Sequence, residues 1–198
     1  MIKSPKNKRI WIKGISLHSY FQHGELFDAL YAAVIRGVEV KVLLIDPDGD
    51  QAKTRSFREF QIDRPGASWE SFNDDERKKQ RLYRDTGESI QHIKMLMQEI
   101  DAIKAGAKFE ARLFSSAPEA FIMLTDNSVL IEQYHYGKIR PLNSESMMLG
   151  RILAGDVPLA EYVQQTPERN PLKDPYRIFE DHFRFVFGMS LPIERAAS

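Results

Sequence analysis

Residues 38–45, Val-Glu-Val-Lys-Val-Leu-Leu-Ile, are the segment that most constrains the fold of this chain. Polar and apolar side chains alternate at first, and the segment then becomes fully apolar, which is typical of a central strand buried on both faces. The preceding residues 24–37 carry apolar side chains at helical spacing and end at Gly37, where a helix C-cap glycine belongs. Residues 9–17 form an earlier strand-sized run of β-branched and aromatic side chains. These segments predict a β-α-β unit with two parallel strands.

The middle of the chain predicts a helical insertion followed by more of the sheet. Residues 50–106 are charged at first and then carry isoleucines and a methionine at helical intervals, which predicts a long amphipathic helix. Residues 108–114 read as a strand. Residues 119–136 read as a buried hairpin that turns at Asp126-Asn127-Ser128, because Asp and Asn tolerate the backbone conformations of a tight turn.

The carboxyl-terminal part of the chain predicts an edge strand and a closing helix. Residues 146–150 form the edge strand, and a proline-rich stretch follows it. The closing helix covers residues 175–187 and carries several phenylalanines for packing. We therefore predict a single α/β domain over residues 1–198, in which a mixed β-sheet is flanked by helices.

Composition narrows the classes of function. Lys plus Arg and Asp plus Glu both number 28, so no global field attracts nucleic acid or an anionic membrane. A basic run near the amino terminus is interpreted as solvated surface; it comprises Lys3, Lys6, Lys8, Arg9 and Lys13. The absence of cysteine excludes disulfides, thiolate nucleophiles and cysteine-based zinc sites. We expect a cytoplasmic protein with no membrane span, no metal and no cofactor.

Candidate binding residues follow the predicted strands, because ligands of open α/β sheets bind beyond the carboxyl ends of the strands. This rule selects His18 after the first strand and Asp46 after the second, with Arg55 shortly beyond. Tyr134 and His135 end the hairpin and could stack on a ring-shaped ligand or simply pack across strands. The acidic turn at Asp46 is too short for an EF-hand and has no following bidentate Glu, so a helix-capping turn is favoured over calcium.

His92-Ile93-Lys94 matches a His-x-Lys motif in letters only. The surrounding isoleucines repeat at helical spacing, and on a helix His92 and Lys94 project roughly 200° apart. Side chains at positions i and i+2 point to the same face in a strand but not on a helix. We therefore interpret this pair as polar residues flanking a core stripe.

Several strings together resemble degenerate phospholipase D-like modules of bacterial regulatory proteins. They are Ile12-Lys-Gly-Ile-Ser-Leu17, Arg36-Gly-Val-Glu-Val-Lys-Val-Leu-Leu-Ile-Asp-Pro47 with Arg55 beyond, Thr125-Asp126 at the hairpin, and Phe179-Glu180 with Phe183. The catalytic pattern of that superfamily is His-x-Lys, four residues, Asp, six residues, Gly-Ser-x-Asn. Anchored on Asp126, it places Glu119 in the His position and Phe121 in the Lys position, so the resemblance implies the scaffold without its catalytic residues. Active members pair two modules around one cleft, so the resemblance also implies a homodimer.

The expected function is therefore binding without chemistry, as a ligand-sensing or protein-interaction domain. A small polar or nucleotide-like ligand would lie in a cleft at the strand ends; the residues expected at its rim are His18, Asp46, Arg55, Glu119, Tyr134 and His135. The first alternative is a phosphodiesterase or nuclease that uses a non-standard histidine set, with His18 and His135 as the pair. The second alternative is a structural dimerisation module.

Overall fold

The structure is a computed structural model that describes residues 7–22, 24–134, 138–139, 150–151, 159–164 and 174–194. The strands in these residues are β1 (Arg9–Gly14), β2 (Glu39–Ile45), β3 (Phe109–Phe114), β4 (Ala120–Leu124), β5 (Ser128–Gln133), β6 (Lys138–Ile139), β7 (Gly150–Arg151), β8 (Ala160–Val163) and β9 (Leu191–Pro192). The α-helices are α1 (His18–Gln22), α2 (Glu25–Ile35), α3 (Asp50–Asp63), α4 (Asp74–Lys79), α5 (Arg81–Ile103) and α6 (Pro175–Met189), and a 3-10 turn covers Trp69–Ser71.

The main sheet is mixed and has the strand order β8-β5-β4-β1-β2-β3-β9. Strands β1, β2 and β3 are parallel, with Lys13 opposite Leu43 and Leu43 opposite Arg112. Strand β4 runs antiparallel beside β1, and β5 completes the hairpin with Leu124 opposite Val129. Strands β6 and β7 form a separate two-stranded sheet. The predicted α/β class with a mixed sheet and flanking helices is confirmed, as is the parallel β1–β2 pair.

Local sequence explains where the helices begin and end. Helix α2 ends before Gly37, whose φ of 88° is the left-handed conformation that glycine adopts most readily at a helix end. Helix α6 begins with Pro175 in the first turn, and the Asp174 carboxylate caps it by accepting the Tyr176 N–H at 3.1 Å. The hairpin turn closes through the Thr125 N–H, which donates to the Ser128 carbonyl at 2.9 Å.

Each face of the sheet has its own apolar core because successive strand residues point to opposite sides. The face that packs on α1, α2 and α5 is called the α5 face, and its core includes Ile12, Val34, Val42, Leu96 and Phe121. The face that packs on α6 is called the α6 face, and its core includes Trp11, Leu43, Ile122, Ile131 and Phe183. Strand β1 therefore sends Ile12 to one core and Trp11 and Lys13 to the side of the other.

The helical insertion contains three helices, of which the predicted amphipathic helix is α5. This helix begins at Arg81, earlier than the apolar pattern alone indicates, and contains both His92 and Lys94. The interpretation of His92-Ile93-Lys94 as helical is thus confirmed. The closing helix is present and runs to Met189. Of the predicted edge strand at residues 146–150, Gly150 belongs to β7 and the other residues lie outside the described part.

The amino-terminal basic run is not simply solvated surface. Lys13 is 1 % exposed, and Arg9 is half-buried between Asp126, at 3.3 Å, and Glu180 of α6. The interpretation was wrong for these two residues because strand β1 places both on the α6 face, under the closing helix. No helix in the described ranges is both long and apolar enough to cross a membrane.

Candidate functional site

The strongest concentration of buried polar chemistry lies at the carboxyl end of β1. Lys13 is the next-to-last residue of that strand, and its side chain points toward α6. Gly14 is the last residue of the strand. Ligands of open α/β sheets bind at this end of the strands. Two polar clusters meet here, one on each face of the sheet.

Lys13 is the centre of the cluster on the α6 face. Its Nζ lies 3.0 Å from the His182 Nε2 atom and 5.1 Å from the centre of the Phe114 ring. Among the described residues, no carboxylate oxygen lies within the 4.0 Å that defines an ion pair with Lys13. Burial lowers the pKa of Lys13, and the more distant charge of Glu119 opposes part of that change. The ammonium is therefore desolvated and incompletely neutralised.

His182 enters this cluster from α6. Burial lowers the pKa of its imidazole, the neighbouring charge of Lys13 lowers it further, and Glu119 acts in the opposite direction. The ring is therefore neutral at neutral pH. Since the Lys13 ammonium can only donate, His182 Nε2 accepts that hydrogen bond and the ring proton resides on Nδ1.

Helix α6 is fixed to the sheet on both sides of His182. Phe183 stacks on Trp11 with ring centres 5.3 Å apart. The Tyr176 hydroxyl donates to the Thr125 carbonyl at 2.7 Å, which ties the start of the helix to the hairpin turn. These contacts set the position of His182 relative to Lys13.

The cluster on the α5 face surrounds the end of β5. The Tyr134 hydroxyl accepts the Ile15 N–H at 3.0 Å, and burial raises the pKa of this tyrosine. The Arg55 guanidinium lies 5.5 Å from the centre of the Tyr134 ring. Glu132, two residues earlier on the same strand face, is buried, and burial raises the pKa of its carboxyl.

Gly14 allows the Leu17 side chain to pack closely against the end of β1 on the α5 face. A Cβ atom at this position would lie 2.3 Å from Leu17 Cδ2 and 3.4 Å from the Tyr134 hydroxyl oxygen. A side chain here would therefore require Leu17 to move, whereas the Tyr134 hydroxyl is at an ordinary contact distance.

The structure places the described rim residues in different surroundings. Tyr134 and Arg55 meet on the α5 face, whereas Glu119 acts on Lys13 and His182 on the α6 face. His18 Nδ1 lies 3.4 Å from Glu88 of α5. His135 lies outside the described residues.

Asp46 closes the turn after β2 but does not cap the next helix, because the N-cap of α3 is Gly49 and has no side-chain hydrogen bond. The helix-capping interpretation was therefore wrong for Asp46. Its Oδ1 accepts the Asp48 N–H at 3.0 Å. In the described part of the chain, no three His, Asp or Glu side chains are grouped so that they could hold a metal ion.

The sequence alone did not single out Lys13, His182 or Glu132 as site residues. A usable signal existed for Lys13, because the period of two along β1 puts it on the same face as Trp11. No equivalent signal identified His182, since its neighbour across space is 169 residues away in the chain.

No protein-family model, no curated protein and no solved structure matches this chain. The functional assignment therefore depends on the two clusters and on the resemblance in the sequence.

Proposed function

We propose that the protein is a non-catalytic ligand-binding domain on a degenerate phospholipase D-like scaffold, and that Lys13 and His182 hold an oxyanion of its ligand. The observation that carries this proposal is a buried ammonium, 3.0 Å from a neutral imidazole, with no ion-pair partner among the described residues. Phosphate, sulfate and carboxylate groups share the required chemistry.

The absence of catalysis is supported by the hairpin. Glu119 and Phe121 occupy the positions at which the resemblance implies a nucleophilic histidine and a phosphate-binding lysine. Phe121 is buried in the core of the α5 face and supplies no charge. The exposed Glu119 supplies neither a nucleophilic imidazole nor a positive charge, so the start of β4 does not offer the superfamily's usual chemistry.

Oxyanion binding follows from the hydrogen-bonding capacity of Lys13. An ammonium has three donors, and His182 accepts one of them. An oxyanion beside the remaining donors would form charge-assisted hydrogen bonds and would neutralise a desolvated charge. Its negative charge would also raise the pKa of His182. A proton gained on Nε2 would replace the Lys13–His182 hydrogen bond, and both side chains would then donate to the oxyanion.

We expect sulfate to bind, and to bind more tightly as pH falls toward and below about 6.5, the ordinary pKa of histidine, because the anion favours the protonated imidazole while burial favours the neutral one. Sulfate is the appropriate probe because its own charge does not change over this pH range. Calorimetric titration at fixed ionic strength measures the affinity directly. Lys13→Met should weaken binding by roughly 10- to 100-fold, the equivalent of losing one charge-assisted hydrogen bond.

Lys41→Met is the matched control for this titration. Lys41 lies on the same face of the sheet and also faces aromatic rings, but its Nζ already pairs with Glu39 at 3.5 Å. Sulfate stabilises proteins in general, so only the difference between the two variants is informative. Equal affinities of both variants and the unmodified protein would contradict the proposal.

The phosphodiesterase alternative is tested with bis-p-nitrophenyl phosphate. Of the pair first expected, His18 lies beside Glu88 and His135 lies outside the described residues. Among the histidines that the structure describes, His182 is the one next to a lysine. Hydrolysis that is lost in His182→Ala, or in the double variant of His18 and His135, would replace the binding proposal with an enzymatic one.

The homodimer remains a proposal from the resemblance. Light scattering over a range of protein concentrations should give twice the monomer mass at the higher concentrations, because association is favoured by mass action. A monomer mass throughout, with or without sulfate, would exclude the dimer and the structural dimerisation alternative together.

A further inference from the structure

We propose that Glu132 binds the ammonium group of a small primary amine, in a second site bordered by Tyr20, Phe121 and Tyr134. This site lies on the α5 face, on the opposite side of the sheet from Lys13. It is independent of the oxyanion site proposed above, so either can fail without the other.

The carboxylate of Glu132 is the first observation behind this site. Glu132 is 6 % exposed, and its Oε1 atom is buried with no hydrogen-bond partner among the residues that the structure describes. Within the same residues, no Arg, Lys or His nitrogen lies within 4.0 Å of this carboxylate. Buried acceptors in folded proteins are nearly always paired, so an isolated carboxylate indicates a position that a donor can occupy.

Aromatic side chains are the second, independent observation. Phe121 lies directly opposite Glu132 in the β4–β5 ladder, and Tyr20 stacks on Phe121 with ring centres 5.7 Å apart. Tyr134 follows two residues after Glu132 on the same face. Burial raises the pKa values of both Tyr20 and Tyr134, and the charge of Glu132 raises them further, which places the two phenols within electrostatic reach of the carboxylate.

The combination of rings and a carboxylate is suited to a cation with N–H donors. Ring faces attract an ammonium, and the Oε1 acceptor requires a hydrogen that a quaternary ammonium lacks. Tyr20 is 42 % exposed, so the site borders solvent through this ring. Burial favours the protonated carboxyl, whereas a bound ammonium would favour the carboxylate, so that an ion pair replaces a buried, unpaired acceptor.

Propylammonium chloride is the probe, titrated against the full chain and followed by amide chemical shifts with sodium chloride as the ionic control. So small a ligand is expected to bind in the roughly millimolar range. Tetramethylammonium should bind at least about 10-fold more weakly, because it cannot donate to Oε1. Binding should weaken as pH falls, since protonation of Glu132 competes with the amine.

Two variants and a control assign the binding to Glu132. Glu132→Gln should abolish saturable binding while keeping the shape of the side chain, and Tyr20→Leu should weaken binding without touching the carboxylate. Glu161→Gln, on the exposed neighbouring strand β8, should bind as the unmodified protein does.

Lys13→Met separates this site from the oxyanion site, because it should lose sulfate and retain propylammonium. Absence of saturable binding, equal affinity for tetramethylammonium, or unchanged binding in Glu132→Gln would each overturn the amine site.

Discussion

Phe183→Ala is expected to lower the free energy of unfolding by about 3–5 kcal/mol, the usual loss when a buried phenylalanine is truncated. Phe183 is 0 % exposed and stacks on both Trp11 and Phe187. Its removal leaves a cavity between α6 and the sheet, next to the residue that carries the imidazole of the oxyanion site. Urea unfolding measures the effect as a lower midpoint at an unchanged slope.

Phe185→Ala is the matched control, since Phe185 lies on the same helix but is 71 % exposed. Its effect should stay within about 0.5 kcal/mol. If Phe183→Ala does not fold, Phe183→Leu should fold with a smaller loss of stability in the same direction. Equal losses in the two alanine variants would mean that α6 does not pack on the sheet through Phe183.

Lys13→Met is expected to act in the opposite direction and raise the free energy of unfolding by about 1–2 kcal/mol at neutral pH. The lowered pKa of Lys13 means that the folded protein disfavours the ammonium relative to the unfolded chain. Methionine has a similar length, needs no hydration and can fill the space beside Phe114. The same substitution removes the side chain proposed to bind the oxyanion, so the free energy of unfolding would rise while anion binding weakens.

The pH dependence of this gain follows from the direction of the pKa shift. At low pH both the folded and unfolded states hold the Lys13 proton, and the unmodified protein bears the full cost of burial. As pH rises from the lowered folded pKa toward the ordinary lysine value of about 10.4, the folded state loses its proton first. The advantage of Lys13→Met should therefore shrink over that range.

Lys41→Met provides the comparison for this stability measurement, because Lys41 already has a carboxylate partner and a partly exposed side chain. It should show no comparable gain at neutral pH. A loss of stability in Lys13→Met would show that its contacts with His182 and Phe114 outweigh the cost of desolvation.

Much of the fold could be predicted because its signals are local. Periodicity of apolar side chains identified β2 and α5, and Gly37 marked the end of α2. The predicted hairpin and its turn are also present. The sheet order around β4 was not predicted, since the antiparallel pairing of β4 with β1 joins segments that are distant in the chain.

The site could be predicted only in part because its residues are separated by the sheet. The sequence predicted a single cleft at the ends of the strands. Alternation of side chains along β1 and β5 instead places Lys13 and Glu132 on opposite faces of the sheet. Tyr134 and Arg55 were both expected at the rim of one cleft, and the Arg55 guanidinium lies 5.5 Å from the centre of the Tyr134 ring. The burial that changes the pKa values of Lys13 and Glu132 arises from tertiary packing, which has no local signature in the sequence.

The contact between Lys13 and His182 spans 169 residues of chain. A contact of such large sequence separation closes a long loop, which costs conformational entropy. That cost is offset only when the intervening sheet and helices are already packed. During synthesis, His182 is made long after β1. Lys13 and Trp11 of β1 therefore stay uncovered until α6 has been made and has packed on the sheet. The proposed binding of an anion therefore requires α6, and we expect no amino-terminal fragment that lacks this helix to bind one.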